Sequence, residues 1–213
     1  MFLAVSVFSQ AAPESGPAEV PVETPAGEAP DFELVQNRGG GVTITAYRGN
    51  SRNVAIPAKI GGRQVTVIGP RSFYARELES VDIPEGVQTI GYCAFAGNQL
   101  SSLTLPQSLK AIEYEAFQGN RISALVLPEG LVSLGVRSFA GNRLDSLSVS
   151  RRLTFIGQGA FAGNSFTEIA MAEGRNLFTS QGFDQSFVNY YLSTGKKAGI
   201  YIRDGRVWSI AGE

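Results

Sequence analysis

No histidine occurs among the 213 residues, and Cys93 is the single cysteine. The commonest general base and metal ligand are therefore missing. One cysteine can form neither an internal disulfide nor a Cys-rich metal site. Gly135-Val136-Arg137-Ser138-Phe139 falls in a repeating column rather than at a nucleophile elbow. Gly195-Lys196-Lys197 lacks the upstream glycine spacing of a phosphate loop. A Ser/Lys or carboxylate-pair enzyme is left with no motif behind it. The sequence thus predicts a non-enzyme with no catalytic residue, no metal and no cofactor. Cys93 shares its column with Arg71, Glu115, Arg137 and Gly159. That variability predicts an exposed thiol, either unused or able to crosslink two chains.

Composition is that of an ordinary globular chain, 43% hydrophobic and 17% charged, with many glycines (25). The net charge of −1 gives no footprint for nucleic acid. It hides an asymmetry. Six of the 19 acids precede the first base, Arg38, so the rest of the chain carries 13 acids against 18 bases. Such a balance favours an acidic partner by general steering; scattered solubilising arginines are the plainer account.

The N-terminus opens on Phe2-Leu3-Ala4-Val5-Ser6-Val7-Phe8, an apolar run with small residues Ser9 and Ala11 behind it. Residues 1–11 read as a truncated signal peptide without its basic start, and the run is far too short to span a membrane. Residues 12–30 carry five of the ten prolines with acids between them. They cannot bury enough apolar surface to offset their entropy and read as an extended spacer.

The elements behind these residues follow from a 22-residue period. Phe73, Phe95, Phe117, Phe139 and Phe161 keep it, as do Ile68, Ile90, Ile112, Leu134 and Ile156. Asn98, Asn120, Asn142 and Asn164 stand three residues after a Phe, each preceded by glycine. Apolar pairs two apart, such as Leu103/Leu105 and Leu125/Leu127, predict short strands with one face buried. Pro84, Pro106 and Pro128 follow three of these L-x-L strands and stop ladder pairing there. The next segment, such as Leu109 to Ile112, crosses the far side, and a turn inserts the Phe. The repeated Asn predicts an internal ladder that satisfies turn amides of adjacent coils. No unit can bury its own Leu and Phe, so the coils must stack.

These columns give five repeats over 68–177. Residues 31–67 read as an N-terminal cap hairpin with a degenerate first repeat, and 178–213 as a C-terminal cap. In that cap Phe183, Phe187, Tyr190 and Tyr191 follow helical spacing, and a hairpin turns at Asp204-Gly205. The fold class is a leucine-rich-repeat solenoid: a right-handed superhelix, mostly β with short turns, parallel strands on its concave face and caps at both ends.

The unit Ile90-Gly91-x-x-Ala94-Phe95-x-Gly97-Asn98-x-Leu100, continuing to Leu103-Thr104-Leu105-Pro106 and Leu109, closely resembles the bacterial BspA-like or TpLRR class of leucine-rich repeats. The resemblance covers about residues 31–210. It departs in using Asn where that class often has Cys, and in a 22- rather than 23-residue unit. It implies a secreted or surface-associated protein that adheres to host cells or matrix proteins.

Ligand contact is expected on the side chains that face outward beside the buried strand residues: Ser80, Asp82, Ser102, Thr104, Ala124, Val126, Ser146 and Ser148. Small residues leave room for another chain across a ladder about 25 Å wide, although they lack strong anchors and also suit a merely solvated sheet. Gln99, Arg121 and Arg143 form a candidate rim beside Glu77. The expected partner is a protein, with no nucleic acid and no membrane span. The functional expectation is an exported adhesin-like module at the surface, in the medium or in the periplasm; a self-associating envelope protein is the alternative.

Overall fold

The computed structural model describes residues 20–21, 31–149, 152–166, 168–171, 199–203 and 206–210. The signal-like run 1–11, most of the spacer and the helical spacing at Phe183 to Tyr191 lie outside them.

Strand β1 (Val20–Pro21) pairs antiparallel with β2 (Phe32–Gln36), which forms a hairpin with β3 (Val42–Tyr47). Gly40 closes that hairpin at φ 80°, where a side chain would be strained. Next come β4 (Asn53–Ala55), β5 (Lys59–Ile60) and β6 (Arg63–Ile68), with β5 folded back antiparallel on β6. From β6 onward the chain coils. The repeats contribute β7 (Ser80–Asp82), β8 (Thr89–Ile90), β9 (Ala111–Ile112), β10 (Ser133–Leu134), β11 (Ser146–Val149), β12 (Phe155–Ile156) and β13 (Glu168–Met171). Finally β14 (Gly199–Arg203) and β15 (Arg206–Ile210) pair antiparallel, with Tyr201 opposite Trp208.

Parallel strands line two sides of the stack. The more continuous ladder is β3-β6-β8-β9-β10-β12, extended by β2 and β1, and it uses the segment ending in the Ile column. On the L-x-L side, β4 pairs with β7 and β11 with β13, and an isolated bridge ties Val126 to Ser148 of β11. Residues 101–106 have no strand pairing at all. The sequence reading placed its strands on the L-x-L side and made the other a crossing, so the weights of the two sides are exchanged. Proline limits how far the L-x-L side can pair, since it brings no donor to a ladder: β4 and β7, followed by Pro57 and Pro84, pair over three residues only. The four-residue pair β11–β13 occurs where Ser150 and Ala172 replace the proline that ends earlier L-x-L segments.

The core is a column of rings. Phe73, Phe95, Phe117, Phe139 and Phe161 are buried and stack face to face, with successive centroids 4.9, 5.3, 5.1 and 5.9 Å apart. Tyr47 extends the stack at the N-terminal end, 5.4 Å from Phe73, and Phe166 meets Phe161 edge-on. Leucines and isoleucines from both strand columns surround it.

Alongside runs a zipper of buried asparagines. Asn120 Nδ2 donates to Phe95 O (2.9 Å) and Phe117 O (3.0 Å), and its Oδ1 accepts from Leu100 N (3.2 Å). Asn142 repeats this with Phe117 O, Phe139 O and Ile122 N, and Asn164 with Phe139 O, Phe161 O and Leu144 N. Asn98 bridges Phe73 O and Phe95 O and accepts from both Arg76 N and Leu78 N. Three Phe carbonyls thus each take two Asn donors, one from their own coil and one from the next.

The turn before each Phe needs left-handed backbone. Arg71, Cys93, Glu115 and Arg137 adopt φ of 55°, 51°, 52° and 53°, and Gly159 follows in the same column at 60°. The column therefore carries several side chains on left-handed backbone, and its arginines Arg71 and Arg137 are exposed. Cys93, expected at the surface, is buried at 5% exposure, its Sγ 3.5 Å from Glu115 Oε2. Its short thiol stays beneath its neighbours, where the long arginines of the same column reach out to solvent.

Candidate functional site

The coil geometry fixes which side chains the L-x-L side presents. Leu103, Leu105, Leu125, Leu127 and Leu147 point into the core, each 8% exposed or less. Alternation along an extended segment then turns the intervening residues outward. Ser80, Asp82, Ser102, Thr104, Ala124, Val126, Ser146 and Ser148 are all exposed on this side. Val126, 75% exposed, is the most exposed large apolar residue among those described. Ser80 Oγ donates to Asn53 Oδ1 (2.6 Å) and Ser146 Oγ to Asp145 Oδ1 (3.1 Å), so both hydroxyls are held against the surface.

The rim residues come together beside this ladder. Gln99, Arg121 and Arg143 line a groove of about 490 Å³ with Glu79, Ser101 and Ser123. One backbone contact recurs under each: Gln99 N donates to Leu78 O (2.8 Å), Arg121 N to Leu100 O and Arg143 N to Ile122 O (both 2.9 Å). Ser101 and Ser123 precede the ladder residues Ser102 and Ala124, which makes groove and ladder one continuous surface. Glu77 lies at the N-terminal end, where Arg52 pairs with it at 2.6 Å and with Glu79 at 3.5 Å. Glu79, Ser101, Ser123 and Arg52 were not singled out in the sequence. The same 22-residue step relates Glu79, Ser101 and Ser123, whereas nothing in the period points to Arg52.

On the turn column, burial pushes the Cys93 thiol up from its ordinary pKa, and Glu115 adds to this against an opposing contact from Tyr92. A buried thiol kept protonated is a poor nucleophile. Beside it Tyr92 and Tyr114 stack at 5.4 Å, each partly exposed. Among the described residues no group of His, Cys, Asp and Glu is placed to hold a metal ion, and no helix is long and apolar enough to cross a membrane.

Comparison with known proteins bears on the repeat directly. The profile of the BspA type Leucine rich repeat region matches residues 66–189 in six copies, which is more than half of the chain. The protein belongs to the BspA-type leucine-rich-repeat family. Its match takes in Phe183, one further 22-residue step beyond Phe161. Among solved structures, the T. pallidum leucine-rich-repeat protein TpLRR is similar at 28% identity and TM-score 0.63, over 70% of this chain and 71% of that one. A leucine-rich-repeat protein from Bacteroides ovatus is 26% identical with TM-score 0.56, over 68% of this chain but 42% of the longer relative. The pneumococcal vaccine antigen PcpA shares the fold at 20% identity and TM-score 0.54, over 82% of this chain and 46% of its own. No curated protein matches. BspA-type repeats of this kind make protein-interaction modules.

Proposed function

We propose that this BspA-type solenoid is an exported, adhesin-like module that binds a host or matrix protein across its L-x-L side. The observation that carries the reading is the ladder itself. Eight exposed, mostly small side chains lie over a rigid stack, and at their centre Val126 is 75% exposed with no structural need to be apolar. A flat surface with a central apolar contact and a polar rim has the layout of a protein interface. Export is supported by the signal-like run at residues 2–8 and by the resemblance to surface-associated repeat proteins.

Purified full-length protein should bind at least one immobilised matrix protein from a collagen, fibronectin and laminin panel, or epithelial cells. Thr104→Arg combined with Val126→Arg should weaken that binding at least tenfold, with circular dichroism unchanged. Undiminished binding by the double variant overturns the assignment of the face. Labelling of intact cells with a membrane-impermeant reagent should reach the protein, and a strictly cytoplasmic pool would overturn export.

Self-association is the second reading, and one observation favours it. Val132 and Phe155, 44% and 56% exposed, lie together beside β10 and β12, where Phe155 N reaches Val132 O at 3.3 Å. Light scattering after size exclusion distinguishes the readings: a dimer lost in Phe155→Ser supports self-association, and a strict monomer overturns it.

A further inference from the structure

We propose that the groove beside the ladder selects an extended peptide segment of mixed charge, with acidic residues toward Arg121 and Arg143 and a basic residue toward Glu79. This rests on the protein-binding reading above and specifies the chemistry of the partner.

Three observations carry it. First, the two arginines are uncommitted while most others near the stack are engaged. Arg48 pairs with Glu33, Arg52 with Glu77 and Glu79, and Arg137 with Glu115. Arg71 lies over the Tyr74 ring, and Arg76 donates to Gly49 O. Among the described residues Arg121 and Arg143 make no ion pair, and both are exposed along the groove. Second, their backbones are held by the same hydrogen bond on successive coils, Arg121 N to Leu100 O and Arg143 N to Ile122 O. Their guanidinium groups therefore issue one coil apart, about 5 Å, with Ser101 and Ser123 hydroxyls and Gln99 beside them. Guanidinium forks and hydroxyl donors suit carboxylates, which accept two parallel hydrogen bonds from an Arg. Third, the groove is polar along its length. Glu79 closes the end opposite Arg143, with Glu77 just outside it, and they share a single cation, Arg52.

That gradient decides between a peptide and a uniform polyanion. A sulfated polysaccharide long enough to fill the groove would meet Arg121 and Arg143, with Asp145 beside them, at one end, and Glu77 and Glu79, with Arg52 between them, at the other. A peptide can place opposite charges where they are needed. Glu79 and Arg143 stand on coils three steps apart, about 14 Å at strand spacing, which an extended chain covers in about four residues. The preferred segment therefore carries its basic residue about four positions from its acidic pair.

The test uses the full chain, isotopically labelled, titrated with three probes: an eight-residue peptide with one Lys four positions from a Glu pair, an all-Glu peptide of equal length, and a heparin octasaccharide. The mixed-charge peptide should shift the amide resonances of Gln99, Ser101, Arg121, Ser123 and Arg143, and bind at least fivefold tighter than the other two. Arg121→Glu with Arg143→Glu should weaken it at least tenfold, and Arg63→Glu, away from the groove, should leave it unchanged. Tighter binding of heparin or the all-Glu peptide overturns the proposal in favour of a polyanion site. No shift at millimolar mixed peptide also overturns it, and if the same protein still captures its matrix ligand, the ladder-face reading survives that failure. Loss of both removes both.

Discussion

Asn120 shows how much a single side chain holds together here. It satisfies two Phe carbonyls and one amide from inside the stack, at 5% exposure. Asn120→Ala leaves Leu100 N without a partner and removes one of two donors from each carbonyl, so a loss of about 2–3 kcal/mol is expected. Asn120→Asp should cost more, because a carboxylate cannot donate to Phe95 O and Phe117 O. Urea unfolding of both variants checks the order, and an Asp variant as stable as wild type would contradict it. Ser138 is the opposite case. Its buried Oγ has no hydrogen-bond partner, while the same column holds Ala94, Ala116 and Ala160. Ser138→Ala should therefore stabilise the fold, by about 1 kcal/mol. At the surface, the Glu85 carboxylate accepts from Gln107 N (2.8 Å) and Ser108 N (3.1 Å), and the Gln107 contact foremost holds its pKa below the ordinary value. A depressed folded pKa contributes stability above the unfolded pKa and loses it as pH falls through the folded value. Glu85→Gln should thus lower the melting temperature at pH 7 and converge with wild type in acid, below the ordinary Glu range. The spacing of the sequence made the Phe and Asn columns readable at this scale. It misplaced Cys93, because exposure in that column depends on side-chain length: the arginines reach solvent and the short thiol does not.

At the scale of the coil, two stacks of extended segments are held by different forces. Segments of the Ile column are tied into a parallel ladder from β6 to β12. Segments of the L-x-L column depend more on burying leucines, and residues 101–106 carry no strand pairing. Amides of Ser102 to Leu105 should therefore exchange with deuterium faster than those of Ile90, Ile112 and Leu134 in native protein. Equal protection of the two columns would contradict this division. Close approach between coils sets a second constraint. A Cβ built on Gly135 would lie 2.4 Å from Glu113 C and Tyr114 N, both backbone, so Gly135→Ala must push two coils apart. A loss of about 2–3 kcal/mol is expected, read as a lower urea midpoint. Alternation of Leu with small residues told which side chains turn out, and those outward residues are the candidate face. It could not tell which column carries the ladder, since that depends on register between coils and on where proline withholds a donor.

For the whole molecule, the period accounts for the stack because each coil needs its neighbours to cover its Phe and Leu. Once these residues are assigned to the core, two outer surfaces are left: the Ile-column sheet with Val132 and Phe155, and the L-x-L side with its adjoining groove. The groove was only half legible in advance: Gln99, Arg121 and Arg143 share a column in the sequence, but their company with Glu79, Ser101 and Ser123 arises from stacking. Arg52, the cation that Glu77 and Glu79 share, comes from a segment outside the regular repeats. The proposal that this side meets a partner protein is most directly tested by hydroxyl-radical footprinting of the protein alone and in complex with a matrix protein that it binds. The account predicts protection concentrated at Thr104, Val126 and Arg121, with Val132 and Phe155 unchanged. Protection confined to Val132 and Phe155 on the opposite sheet would contradict it.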